Sequence, residues 1–330
     1  MDGYISKREC ALKWGISERR VNQYLLEGRV PGAFRFGKSW AIPETAEKPD
    51  NPQGVHIAPE QKTVAYSFSP VFVMPKTDPD AILKTLPVRE RGMAICDLAY
   101  MRGDLMKIKI YWHMAGEGAE ERDLSAALAY TSAFATDDDK MKTEITGYYK
   151  QAREQALGTY RRAIYTVVQA LDAVCMNRED EIPDWLKSCD FSVFPSMWRP
   201  FMLYLHTLYQ RTARNHKGVY ATATAALALC EKEATFTNLD IYFHLLAAWA
   251  AYRMDDEAHA QIHVHDAVTL GAPFDFVTPY AEYLTACGNI VSDELDRSYP
   301  DLLDKVEELW DVCFSNWTRA RGTFSNIRKS

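Results

Sequence analysis

The stretch from Ser6 to Gly28 constrains the chain most, because it writes the ends of two short helices and the turn between them. Ser6 is an N-cap residue and Glu9 follows three positions later, which completes a capping box. Cys10, Ala11 and Trp14 then put one apolar side on the first helix. Gly15 ends that helix, since glycine adopts the left-handed conformation without strain. Ser17 caps a second helix whose apolar side is Val21, Tyr24 and Leu25, and Gly28 stops it. Two helices this short bury little alone. Joined by so tight a turn they predict a helix-turn-helix, the arrangement that lays its second helix in a DNA major groove.

The residues that follow extend the pattern. Val30 to Pro43 reads as two brief strands around Gly37-Lys38, a hairpin wing with a basic tip. On the second helix a wheel places Arg19, Gln23 and Leu26 opposite the Val21, Tyr24 and Leu25 side, with Arg20 and Asn22 on the flanks. Arginine pairs bidentately with guanine, and glutamine or asparagine with adenine. Ser17, Arg19, Arg20, Asn22 and Gln23 are therefore the candidate DNA-binding residues of the helix. Arg29, Arg35 and Lys38 suit phosphate, which positions without specifying. The competing reading is a solvated face on a small protein-binding module.

Residues 3 to 43 resemble the winged helix-turn-helix of the excisionase and MerR-like group. The resemblance rests on Tyr4-Ile5-Ser6, Trp14-Gly15-Ile16-Ser17, Arg19-Arg20-Val21, Glu27-Gly28-Arg29-Val30-Pro31-Gly32-Ala33 and Gly37-Lys38-Ser39-Trp40-Ala41-Ile42-Pro43. It implies sequence-specific binding of double-stranded DNA with no chemistry of its own.

Charge agrees once it is divided. The net charge of −7 splits into +4 over residues 1–42 and −11 over the remainder. A basic head on an acidic body fits a DNA-binding module attached to something else. No run of eighteen apolar residues exists, so no membrane span is expected. The polar N-terminus lacks an apolar signal core, which points to the cytoplasm. The seven cysteines are scattered and form no CxxC pair, so they read as reduced core thiols.

Prolines 43, 49, 52, 59, 70, 75, 79 and 87 break any helical period between head and body. The polar half, Glu44 to Lys62, reads as a linker. Val64 to Met74 is too apolar for water and is expected to lie against the body. The expected division is a winged helix-turn-helix over 1–48, a proline-rich linker over 49–86, a helical-repeat domain over 87–318 and a basic tail over 319–330.

From about Pro87 helical patterns recur: roughly 88–101, 104–115, 120–136, 138–156, 158–176, 195–213, 217–232, 237–253, 255–270, 274–286 and 299–318. Segments ending at Arg214 and Arg253 look like copies 39 residues apart, and those ending at Asp104 and Asp138 look like copies 34 apart. Such periods, with alanines mid-helix and aromatics a turn away, predict tetratricopeptide-like helix pairs that bury their faces by stacking. The Leu245–Met254 stretch, Phe276 to Leu284 and Phe314 to Thr318 resemble the helical-repeat region of LuxR/MalT-type regulators. Those regulators carry a further helix-turn-helix after this region, and this sequence stops at Ser330.

Other constellations are weaker. His259, His263 and Asp266 share a helical face at a spacing that could hold a metal. The HExxH pattern is absent and no partner helix offers an evident further ligand, so a water-facing polar helix is the better reading. Asp137-Asp138-Asp139 and Arg178 to Glu181 fit helix-terminal capping. There is no phosphate loop, no dinucleotide loop and no GxSxG. The expected fold is mainly α, with a short β-hairpin in the head. The expected function is transcriptional regulation by a homodimer, with no enzyme activity, no metal and no cofactor. The helical body would sense a peptide or protein effector. A protein-interaction scaffold and an excisionase-like recombination factor are the alternatives.

Overall fold

The computed structural model describes residues 4–26, 30, 33–36, 39–49, 78–86, 88–114, 136, 138–155, 166–167, 169–171, 173–174, 177–192, 194, 199–233 and 237–314. The chain divides into two compact units, Met1–Lys62 and Thr63–Ser330. It is mostly helical, with one small antiparallel sheet near the N-terminus. Among the described residues no helix is long and apolar enough to cross a membrane.

The first unit runs β1 (Tyr4–Ile5), α1 (Lys7–Trp14), α2 (Glu18–Leu26), β2 (Phe34–Phe36) and β3 (Ser39–Pro43). The hairpin expected from the sequence is present, with Phe34 opposite Ala41 and Phe36 opposite Ser39. The sequence pattern did not suggest β1. It pairs along the other edge of β3, Tyr4 with Pro43 and Ile5 with Ile42, so the strand order is β1-β3-β2. β3 is thereby covered on both sides. Trp40 and Ile42, two residues apart, reach the same small core. That core is Cys10, Ala11, Trp14, Val21, Tyr24, Leu25, Val30 and Ile42.

Past β3 the chain turns back onto α1. Ala46 packs against the core, and the Trp14 indole Nε1 donates to the Ala46 carbonyl at 3.3 Å. Lys13 donates to the carbonyls of Glu44 and Ala46. The start of the segment read as linker thus belongs to the first unit.

The second unit comprises α3 (Pro79–Thr85), α4 (Val88–Met101), α5 (Leu105–Met114), α6 (Asp139–Gln155), α7 (Asp184–Lys187), α8 (Arg199–Thr212), α9 (His216–Glu233), α10 (Thr237–Arg253), α11 (Glu257–Gly271), α12 (Thr278–Tyr283), α13 (Ile290–Ser298) and α14 (Pro300–Leu309). α3 lies where the prolines were expected to leave no helix. Asp78 caps it through the Asp80 amide at 2.9 Å, and Pro79 occupies its first turn, where no amide hydrogen is needed. α13 was also not anticipated. It is a single short segment between Gly288 and Pro300, too brief to show a clear period. The expected helix over 120–136, but for its last residue, the apolar Val64–Met74 segment and the expected tail over 319–330 lie outside the described residues.

α8, α9, α10 and α11 pack in succession, and α8 also meets α10. The two turns that join α8 to α9 and α10 to α11 share one design. Arg214 and Asp255 take the left-handed conformation, and the next residue's amide bonds five residues back, Asn215 to Gln210 and Asp256 to Ala251, each at 2.9 Å. Asn215 and Asp256 then cap the following helix through their side chains. The structural counterpart of Arg214 is therefore Asp255, not Arg253 as the sequence comparison had it.

The body also makes contacts that stacked repeats alone do not supply. The end of α4 meets the chain near α12. The Val277 amide donates to the Met101 carbonyl at 2.7 Å, and the buried Thr278 hydroxyl donates to the Tyr100 carbonyl. Arg102 forks onto Asp80 at 2.6 and 3.1 Å and donates through Nε to the Phe274 carbonyl. In a simple solenoid each repeat touches only its neighbours. Here residues about 170–180 positions apart are joined.

Candidate nucleic-acid interface

The first unit holds its two helices at their ends. The Glu9 amide donates to Ser6 Oγ at 3.3 Å and the Ser6 amide donates to Glu9 Oε2 at 2.8 Å. Both halves of the capping box are thus made. The backbone bond from Ser6 holds the Glu9 carboxyl below its ordinary pKa. Gly15 stands at φ 64 and ψ 37, and the Ile16 amide closes the turn onto the Ala11 carbonyl at 3.1 Å. Ser17 then caps α2, its Oγ accepting from the Arg20 amide at 3.3 Å.

These ends decide how α2 is rotated. Val21, Tyr24 and Leu25 point into the core, and Trp14 meets Tyr24 with ring centroids 6.4 Å apart. Arg19 and Gln23, one turn apart, are exposed on the opposite face, and Ser17 and Arg20 are exposed beside it. The flanking residues are more committed than the wheel suggested. Arg20 Nε donates to the Tyr24 hydroxyl at 3.4 Å, and its guanidinium lies 5.5 Å from that ring's centroid. Asn22 Oδ1 accepts from Lys7 Nζ at 3.4 Å, which ties α2 back to α1. Lys7 is the residue that the sequence reading passed over. Only the fold shows that it reaches the second helix.

The remaining expected contacts are less constrained. Arg35 sits in β2 opposite Trp40. Arg29 and Lys38 lie outside the described residues. Lys13, one of the eight cations behind the local +4, is turned toward the Glu44 and Ala46 carbonyls. The exposed basic face of α2 therefore rests on Arg19 and Arg20.

Five cysteines have described side chains, and none of the five is in a disulfide. Cys10, Cys96, Cys287 and Cys313 are free and buried, and Cys189 is free and exposed. Burial pushes the Cys287 thiol up to about 12, so it stays protonated.

The histidine face of α11 divides. His259 Nδ1 contacts Asp256 Oδ2 at 2.7 Å, while His263 and Asp266 meet His244 of α10. The neighbouring helix does supply a further ligand-type side chain, contrary to the sequence reading. His206 is satisfied within the core: its Nδ1 lies 2.7 Å from the Leu186 carbonyl and its Nε2 lies 2.9 Å from Gln210 Nε2. Comparison with protein families, curated proteins and solved structures finds no match for this chain.

Proposed function

We propose that the first unit is a winged helix-turn-helix that reads double-stranded DNA and that the chain is a transcriptional regulator. The observation that carries this reading is the rotation of α2. Val21, Tyr24 and Leu25 are buried, and Arg19 and Gln23 face outward one turn apart, the residue types that pair with guanine and adenine. The net +4 of residues 1–42 adds the electrostatic attraction that duplex binding requires. Arg20, braced on Tyr24, and Arg35 on the hairpin suit phosphate contacts.

One small head makes few phosphate contacts, so specific binding calls for two. In this reading the helical body brings two copies together and offers a surface to a peptide or protein effector. The matched turns at Arg214 and Asp255 support tetratricopeptide-like pairing over α8 to α11.

Selection of bound sequences from random duplex DNA tests the proposal, and a palindromic result would report the dimer. On the selected site Arg19→Ala should cost about 1–3 kcal/mol and relax one base position, whereas Lys38→Ala should weaken all sequences alike. No enrichment overturns the reading in favour of a protein-binding module, and an equal loss on every sequence for Arg19→Ala overturns the assignment of that face to base reading.

A further inference from the structure

Three ligand-type side chains converge from two neighbouring helices of the body. His244 lies in α10. His263 and Asp266 lie in α11, three residues apart and so on one helical face. α10 and α11 form a hairpin about the turn at Met254–Asp256. His244 Nδ1 faces His263 Nδ1 at 3.1 Å, and Asp266 Oδ2 lies 3.8 Å from His244 Nδ1. One ligand atom from each of the three lies within 4.8 Å of the others.

Two ring nitrogens this close need one hydrogen or one cation between them. Two N–H groups would repel, and so would two lone pairs. Either one proton or one metal ion satisfies the pair. Two nitrogens on a single tetrahedral zinc stand about 3.3–3.4 Å apart, from Zn–N bonds of about 2.0–2.1 Å. The rings already stand close to that spacing. The Asp266 side chain is 46% exposed, which leaves its carboxylate room to turn toward the two rings.

We propose that His244, His263 and Asp266 bind one divalent transition-metal ion of the zinc class, which clips α10 to α11 and leaves a fourth position to water. Two imidazoles and a carboxylate are a donor set that such ions take, and hard ions such as magnesium do not favour. For both rings to present Nδ1, each carries its proton on Nε2. The ring that donates in the metal-free pair moves its proton from Nδ1 to Nε2 through solvent, and binding releases no net proton. His259 stays outside the set because Asp256 engages its Nδ1. This proposal is independent of the DNA reading.

Titration of metal-stripped full-length protein with Zn²⁺, followed by calorimetry, tests it. One ion should bind per chain, with affinity at least about tenfold weaker in His244→Ala and in His263→Ala and unchanged in His259→Ala. Asp266→Asn, a change of one atom on a half-exposed side chain, keeps the test open where a histidine variant fails to fold. It too should weaken binding. Co²⁺ should give a ligand-field spectrum without a thiolate charge-transfer band. No saturable binding, binding unmoved by these substitutions, or a thiolate band overturns the proposal.

Discussion

The head and the body are stabilised in different ways. In the first unit the ends of the two helices are set by contacts short in sequence: the Ser6–Glu9 box, the Gly15 turn and the Ser17 cap are each closed within a few residues. In the body the helices are also capped locally, but their arrangement depends on distant joins. Thr278 reaches the Tyr100 carbonyl, Arg102 reaches Phe274, and Leu309 lies 3.0 Å from where a Cβ on Gly103 would stand. Gly103 also needs its left-handed φ of 81, so both backbone and packing favour glycine there. A motif held by local signals can be read as a motif. A surface assembled by distant contacts cannot.

The sharpest way to break this contrast is in the head's core. Trp14 is one of its few large buried side chains, 8% exposed and packed on Tyr24. Trp14→Ala should cost about 3–5 kcal/mol and, in so small a core, unfold the head. Hydrogen exchange should accelerate over α1 and α2 and leave α10 protected. Acceleration in α10 as well would show that the two units do not unfold separately.

In the body the largest effect is a gain. Asp97 is buried, and its carboxylate has no hydrogen-bond partner among the described residues. Burial raises its pKa well above the ordinary value. The folded chain therefore keeps a proton that the unfolded chain releases above about pH 4. That contribution to stability is complete below pH 4 and is lost as pH rises toward the folded pKa. Asp97→Asn should remove this loss, so that the variant gains stability over the wild type as pH rises from 4 to 7, with little difference at pH 4. Urea unfolding at the two pH values measures it. An equal effect at both would place the Asp97 charge elsewhere in the balance.

Thr278→Val tests the distant join directly. The side chain keeps its volume while the Tyr100 carbonyl loses a buried donor. A loss of about 1–2 kcal/mol is expected, with faster exchange at both α12 and the end of α4. Exchange that changes at α12 alone would mean that the join does not hold the ends of the body together.

The smallest effect belongs to the cap. Ser6→Ala removes one half of the capping box at an exposed position and should cost about 1 kcal/mol. Because the head has few buried residues to compensate, even this change should lower its melting temperature measurably by circular dichroism. No change would mean that the sheet pairing of β1, not the cap, sets the start of α1.

The sequence by itself determined several helix ends, because caps and turns act on neighbouring residues. Ser6, Gly15, Ser17, Asn215 and Asp256 each do so here. It also determined which side of α2 is apolar, since a period of about 3.6 residues is local. Asp78-Pro79 carried the signal for α3 as well, though proline at the start of a helix reads like proline that breaks one. The tertiary structure decided the rest. It gave β3 a second partner in β1, turned Lys13 toward the chain after β3, and joined Lys7 to Asn22. It also set His244 against His263 and Asp266. Each of these is a meeting of segments whose spacing along the chain carries no trace of the contact, because packing between elements depends on how whole faces fit and not on the residues next in sequence.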